Sequence, residues 1–508
     1  MVNDVTYRDP TPNKFPQDYD PAKVDSRVKL RSDSIKHKQK GVDTREAMYQ
    51  ALEIGSVTAN EAKSTSVNTA GRQDDVEQSQ KDFERRYNDQ IAGNTDLNEV
   101  IDSRKPKNKE AYPTLGERLN DMPFKADLVI NDTYTDVDGG IRDYYVEPLT
   151  QLNTTIKPTL FNLGFGTDYH YDIASTYQPH PHPDVTNSDA MRMWNDGLRK
   201  SLNILSLSEK LDAIVFNGDN TDQPSGFPDE AAEKKMMIKE QEDFAQVAFS
   251  ASECPVFLLK GNHDNNHNVT NRTLVNVITD DDFKKIYRQT GQFGEVRNSG
   301  SNYFYKDFDK KKVRLISLDT SDLPEIERDG ELVYNRFKQS GLQQSQLNWL
   351  ANTALQVAEG YTVLITTHWP VDKTLANYGD GIAYNHASLK KILEDYVMGG
   401  AGTVDSPGEL PVNLSYSFER PGNLAGVLSG HLHLDGSTEI NGVNYIMTRC
   451  SLTVGDNVLG AQRVKYDGTA LEDAFDVVSI DTTNRTVEIV RFGAGSEDPK
   501  YAKRSYAY

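Results

Sequence analysis

From about residue 155 onward the chain repeats one pattern. A short apolar run ends abruptly in a polar cluster: TLFNLGFGTDYH, LDAIVFNGDNTD, PVFLLKGNHD, VRLISLDTSD, GYTVLITTHWP and NLAGVLSGHLH. Continuous apolar runs of this length suit strands buried on both faces. Helical spacing fills the gaps, with Met191, Trp194, Leu198, Leu202 and Leu205 at three- and four-residue steps, and Leu347, Leu350 and Leu355 in QSQLNWLANTALQV. Alternating strands and helices predict a layered α/β domain. The tail FDVVSIDTTNRTVEIVRFGAG reads as an apolar hairpin turning at TTNR, expected to close a sheet edge.

The run ends carry the chemistry. In chain order they supply Asp168 with His170, Asp219 with Asp222, then Asn262, His263 and Asp264, then His368, and last His431 with His433. In open α/β sheets the ligand site lies beyond the carboxyl ends of the strands, so these groups are expected to converge. If D-x-H continues a strand, Asp168 and His170 face one way and Tyr169 the other. Carboxylate oxygen and imidazole nitrogen suit manganese, iron or zinc. With no cysteine in the set, a structural zinc site is not expected. Asp168, His170, Asp219, Asn262, His368, His431 and His433 are too many ligands for one ion with an open position. Two ions sharing Asp219 fit better, and a two-metal centre can clamp both the attacking and the leaving oxygen of a phosphoryl group.

Each motif taken alone has a bland reading. D-x-H is usually surface chemistry, GDNTD a turn, GNHD a turn with a helix cap, and GHLH half of a strand. Their conjunction, each at the end of an apolar run, is what points to a metal centre. His180 and His182 in YQPHPHPDV sit between prolines and read as a loop, forming a pocket wall or plain surface. His37, His267 and His386 have no partner pattern. Tyr169, Asn220, Trp369 and Tyr384 are near the motifs in sequence and are expected as substrate neighbours on that ground alone.

The order D-x-H, G-D-x-x-D, G-N-H-D, H, G-H-x-H resembles the calcineurin-like metallophosphoesterase family over roughly residues 158 to 490. The resemblance implies a four-layer α/β/β/α sandwich with a dinuclear centre of divalent ions, manganese favoured over iron or zinc. It implies that Asp168, His170, Asp219 and His433 hold one ion, and that Asp219, Asn262, His368 and His431 hold the other. Hydroxide shared between the ions would attack phosphorus in line. His263 would contact the phosphate, with Asn262, and protonate the leaving oxygen, with Asp264 orienting it.

Residues 1–115 differ in texture. Apolar residues are sparse, and Val76, Phe83, Tyr87 and Ile91 form a narrow stripe at helical spacing. Such a stripe builds no core of its own and suits a coiled coil or a helix docked on a partner. The alternative is a solvated extension. SIKHKQKGVDTREAMYQALE and DLNEVIDSRKPKNKEAYPTLGERL resemble attachment regions of baseplate proteins from phages of Gram-positive bacteria. This implies other baseplate or tail proteins as partners, a homo-oligomer, and a place on the virion. The expected division is therefore a helical attachment region at 1–115, a connector at 116–154, read as a short connector or a strand pair, and the catalytic domain at 155–508.

Composition narrows the partners. The chain has 508 residues and a formal charge of −20, from 56 basic and 76 acidic side chains. That balance argues against nucleic acid or anionic lipid as a general partner. An anionic substrate stays open, because bound cations reverse the sign locally. Cys254 and Cys450 make no disulfide framework and are expected to be buried. No secretory signal is expected from MVNDVTYRDPTPNKF, and no stretch approaches the length of a membrane span. Three readings follow. The first is a virion-borne phosphodiesterase acting on envelope phosphodiesters such as teichoic acid. The second is a general bacterial phosphodiesterase or phosphatase with an unrelated extension. The third is a structural or receptor-binding tail protein, against which His263 speaks, since a purely structural metal site needs no proton donor.

Overall fold

The computed structural model describes residues 24, 26–37, 48, 55, 59, 140–172, 187–222, 230–267, 272–375, 382–452 and 468–508. The stripe from Val76 to Ile91, the second baseplate-like stretch, His180 and His182 lie outside them. The chain divides into two units, Met1–Pro123 and Phe124–Tyr508. In the first, helix α1 (Ser26–His37) carries a Lys29–Asp33 ion pair at 2.6 Å, one turn apart. The elements that follow belong to the second unit, Phe124–Tyr508.

Two sheets make its centre. The strands of the first are β1 (Phe161–Gly166), β2 (Ala213–Asn217) and β3 (Val256–Leu259), which run parallel. The second holds β4 (Val296–Arg297), β5 (Phe304–Phe308), β6 (Val313–Ser317) and β7 (Thr362–Thr367). After a separate hairpin, β8 (Gly400–Ser406) and β9 (Val412–Phe418), it continues with β10 (Asn423–Ser429), β11 (Gly436–Ile440) and β12 (Val443–Met447). Strands β13 (Ala474–Asp481), β14 (Thr486–Gly493) and β15 (Lys503–Ala507) return to the first sheet. The spatial orders are β15-β14-β13-β1-β2-β3 and β11-β12-β10-β7-β6-β5-β4. Strands β6, β7, β10 and β12 are parallel.

Alternation along the strands builds the layers. Ala213, Val215, Phe257 and Leu259 meet Val313, Leu315, Leu364 and Ala425 between the sheets. On the outer side of the first sheet, Ile214, Phe216, Val256 and Leu258 pack with Leu202, Met237 and Phe244 of helices at Asn187–Leu205 and Glu230–Ser250. On the outer side of the second, Ile316, Val363 and Ile365 pack with Leu347, Leu350, Leu389 and Ile392. This is the expected α/β/β/α sandwich. Among the described residues no helix is long and apolar enough to cross a membrane.

Two expectations change. Residues expected to end a connector form helix α2 (Asp143–Thr155). Tyr145, Leu149 and Leu152 fall on one helical face and are buried in the outer core, a spacing hidden in the sequence by the strand-like run DYYVEPL. Tyr145 also donates from its hydroxyl to Glu472 Oε1 at 2.8 Å. The C-terminal hairpin forms as expected, Asp481 bracing its turn through the Thr483 and Asn484 amides. It does not close the sheet, because β15 adds outside it and takes the edge.

A chain beginning at residue 116 is therefore expected to fold and to act on small substrates. One beginning at 157 exposes the seat of α2 and forfeits roughly 1.5–3 kcal/mol for each of Tyr145, Leu149 and Leu152. Thermal melts of the two fragments check this. Equal melting temperatures would show that α2 is not part of the core.

Candidate metal centre

The expected side chains stand at the carboxyl ends of parallel strands. Asp168 and His170 follow β1, Asp219 follows β2, and Asn262 and His263 follow β3 of the first sheet. His368 follows β7, and His431 and His433 follow β10, in the second sheet. The loops are tied by backbone bonds, Asp168 N–H to Gly218 O at 3.0 Å and His170 N–H to Asp219 O at 2.9 Å.

The loops are tight turns rather than strand extensions. Asp168, His170, Asp219, His431 and His433 all have positive φ, at 56°, 49°, 49°, 71° and 59°. Side-chain-bearing residues seldom adopt this conformation, and such strain gathers at functional sites. Asp168 and His170 thus face one site because both adopt the left-handed turn, not by strand alternation. Tyr169 between them is fully buried against Phe216 and Phe244. Glycines make room at two points. A Cβ at Gly261 would collide with the Asp219 carboxylate and backbone, and one at Gly430 with Thr167 and Asp168.

One group of atoms gathers around Asp168 Oδ1. His433 Nε2 lies 3.3 Å from it and His170 Nε2 3.9 Å. The two ring nitrogens face each other at 3.1 Å. The other carboxylate oxygen, Oδ2, is engaged by Thr167 Oγ1 at 2.5 Å and the His431 amide at 3.0 Å. A second group gathers around Asn262 Oδ1, 3.0 Å from His368 Nε2 and 2.8 Å from His431 Nδ1. Asp219 joins the groups. Its Oδ1 accepts from the His263 amide at 2.7 Å, leaving Oδ2 at 3.2 Å from His368 Nε2 and 3.8 Å from His170 Nε2.

These atoms suit cations. Ligands about 2.0–2.2 Å from an ion stand about 3 Å apart when at right angles, which is the spacing found here. Asp168 Oδ1 is buried yet makes no hydrogen bond, an unmet acceptor aimed at two imidazole nitrogens. Asp168, His170 and His433 fall within one cluster of ligand atoms, and Asp219, His368 and His431 within another. Electrostatics agree. Burial would raise the Asp219 carboxyl, but His368, His263 and His170 outweigh it and bring it down to about 2. Asp168 is likewise held below the ordinary range by His433, His368 and His170 against its burial. Burial opposes protonation of both rings, yet Asp219 and Asp168 raise His368 to about 9, and Cys450 followed by Asp168 raises His433 to about 10. Protons there supply the charge that the carboxylates need. Divalent ions would supply it instead and release those protons.

His263 is held differently from the sequence expectation. Its Nδ1 lies 2.7 Å from Asp222 Oδ1. Asp264 is turned away, accepting from the Gly261 amide at 2.8 Å and the Thr221 amide at 2.9 Å. The carboxylate that orients His263 is therefore Asp222, and Asp264 fastens the loop. Adjacency in the chain does not make Asp264 a partner of the His263 ring, because its two carboxylate oxygens are taken by Thr221 and Gly261. Asp222 Oδ2 also lies 3.3 Å from His170 Nδ1, so one carboxylate orients both rings. The GDNTD motif carried that signal, in a second acid three residues after Asp219. His263 falls in a further cluster with His170 and Asp219. Its Nδ1 is taken by Asp222 and its side chain is 26% exposed, which sets it at the mouth rather than inside. Phe337 meets its ring edge-on at 4.9 Å, a neighbour with no sequence signal.

The remaining residues sort cleanly. Trp369 stacks on the His431 ring at 4.0 Å and supports it from behind. Asn220 donates to Leu259 O at 2.8 Å, and Tyr384 to Glu409 at 3.0 Å. Burial depresses His267 and His386 to about 4, keeping both neutral in structural roles. His386 Nε2 pairs with Ser340 Oγ at 2.8 Å. Cys450 is buried and Cys254 half-buried, neither in a disulfide. The VRLISLDTSD run end joins no ligand group. Its Asp319 pairs with buried Lys260 at 2.9 Å.

Oxygen and imidazole ligands at the carboxyl edges of two facing sheets are the plan of a metallohydrolase. The model of the calcineurin-like phosphoesterase family matches residues 167–435, more than half of the chain. The chain belongs to that family, which supports a metal-dependent phosphoester hydrolase. No curated protein matches it. The solved structures similar to parts of it include two of low identity. One is GAP50, the anchor in the inner membrane complex of Plasmodium, at 14% identity over 68% of this chain and 89% of that one, with a TM-score of 0.34. The other is the phosphopantetheinyl hydrolase of Mycobacterium tuberculosis, at 10% identity over 58% and 91%, with a TM-score of 0.29.

Proposed function

We propose that this protein is a dinuclear phosphodiesterase carried on a phage baseplate or tail, acting on cell-envelope phosphodiesters such as teichoic acid. The observation that carries the catalytic part is the pair of ligand groups joined by Asp219 Oδ2, with Asp168 Oδ1 buried and unmet. Asp168, His170, Asp219 and His433 would hold one ion, and Asp219, Asn262, His368 and His431 the other. Manganese is favoured for a site of oxygen and imidazole ligands. Bound there, the ions polarise the phosphoryl oxygens and make water a nucleophile at neutral pH.

The chain's own groups do the rest. Asn262 and His263 border the phosphate. Asp222 pins Nδ1 of His263, which leaves Nε2 for a proton bound for the leaving oxygen. Burial disfavours the charged His263 ring, but without bound cations Asp222 and Asp219 raise it to about 9, the direction a proton donor needs. Phe337 sets the ring angle and gives the leaving-group side an apolar wall.

The attachment role rests on the N-terminal stretches and their narrow apolar stripe, which needs a partner to be covered. Purified protein is assayed on mono- and diester panels and on isolated teichoic acid, with chelator and metal add-back. Virion fractions are probed for the chain in parallel. Hydrolysis of monoesters alone would remove the diesterase reading. Absence from virions would leave a general bacterial phosphoesterase with an unrelated extension.

A further inference from the structure

A second polar cluster lies apart from the metal ligands, where β11, β14 and β15 meet. Arg491, Arg449, Arg504, Asp435 and Asp476 are all at least nine-tenths buried. Arg491 is fully engaged. Its Nε donates to Asp476 Oδ1 at 2.8 Å, its Nη2 to Asp435 Oδ1 at 2.6 Å, and its Nη1 to Ala494 O at 3.2 Å. Arg504 makes a single hydrogen bond, from Nη2 to Asp476 Oδ2 at 2.7 Å. Its Nε and Nη1 are buried with no acceptor, the Asp435 carboxylate standing 3.6 Å from Nη1. Arg449 is ion-paired instead, its Nε 3.2 Å from Asp435 Oδ2 though not aligned for a hydrogen bond.

Three guanidinium groups thus face two carboxylates. Asp435 is ionised, because Arg491, Arg504 and Arg449 outweigh its burial and hold it below the ordinary carboxyl range. The nearby acids are committed elsewhere, Glu497 to the Gly495 amide and Asp498 to the Lys500 amide. A buried excess of positive charge with unmet donors is unfavourable unless an anion completes it. The cluster opens on a cavity of about 380 Å³ lined by Arg504, Lys500, Thr374, Ser437 and Tyr506, and also by Asp435, whose charge the three guanidinium groups offset.

We propose that this cavity binds a phosphate-class oxyanion, held by Arg504 and Lys500 with hydroxyls at the rim. Guanidinium groups match the fork of phosphate oxygens, and the volume admits the group with part of an attached polyol. The anion has two sources. One is free inorganic phosphate. The other is a second phosphate on the substrate, which rests on the phosphoesterase reading and places a neighbouring unit of a phosphodiester polymer here.

The test uses the full-length chain stripped of metal by chelator, with inorganic phosphate titrated by calorimetry. Saturable binding is expected. It should weaken roughly tenfold or more in Arg504→Gln and in Ser437→Glu, the scale of one lost charge-assisted hydrogen bond. Ser437 is exposed, so Ser437→Glu supplies the missing negative charge at the mouth without disturbing the core. No saturable binding by the wild type, or unchanged binding in Ser437→Glu with its melting temperature preserved, overturns the proposal. With metal restored, KM is compared for a simple diester and for a diester carrying a second phosphate. A rise in Ser437→Glu for the second substrate alone assigns the site to the substrate. Unchanged KM for both, with phosphate binding lost, assigns it to free phosphate. A protein without hydrolytic activity would sink the functional reading and leave the binding result standing.

Discussion

Asp219→Asn is expected to strip metal from both positions and to lower turnover of an aryl phosphodiester by well over 10²-fold. The estimate starts from partners outside the ligand set, whose loss typically costs about 10–100-fold in metal affinity or activity. Asp219 stands inside the set and serves both ligand groups through Oδ2, while Oδ1 holds the His263 amide. An amide at this position keeps the shape but loses the charge that His368 and His170 face. His431→Ala should act on one group only, removing a neighbour of Asn262 Oδ1. Metal per chain, measured by mass spectrometry after dialysis, separates the two variants. Full activity in Asp219→Asn, or wild-type turnover in thorough chelator, would sink the dinuclear reading.

His263→Gln should retain both ions while the rate falls roughly 10²–10⁴-fold, the usual scale for losing a general acid. The loss should shrink as the leaving group improves, because a good leaving group needs less protonation. Asp222→Asn gives a second view of the same step. Its carboxylate touches His263 and also His170, so this variant should lose rate and, unlike His263→Gln, weaken metal binding by about 10–100-fold. Loss of metal from His263→Gln would show that the ring is a ligand. An Asp222→Asn protein with unaltered kinetics would remove it from the proton-donating unit.

Much of the fold and of the site is legible in the sequence. The apolar runs placed β1, β2, β3, β7 and β10, because a strand buried on both faces has no polar positions to spend. Every side chain in the two ligand groups came from the polar residues closing those runs. What resisted was the identity of partners across loops. Asp222 and Asp264 are both acids near His263, one in another loop and one beside it in the chain, and the nearer in sequence was the wrong choice. Phe337 comes from a loop more than 70 residues downstream and has no pattern of its own.

The sequence by itself determined the layered α/β class, the strands that end at the centre, and the oxygen and imidazole chemistry gathered there. These depend on local periodicity and residue type, which are written along the chain. Only the tertiary structure decided that Asp222 orients His263 and that left-handed turns aim Asp168, His170, Asp219, His431 and His433. It also decided that α2 belongs to the core, that β15 takes the sheet edge, and that Arg504 is left with unmet donors. Each of these depends on which segments approach one another in space. Backbone turns and packing between distant loops set that approach, and no spacing within a single loop encodes it.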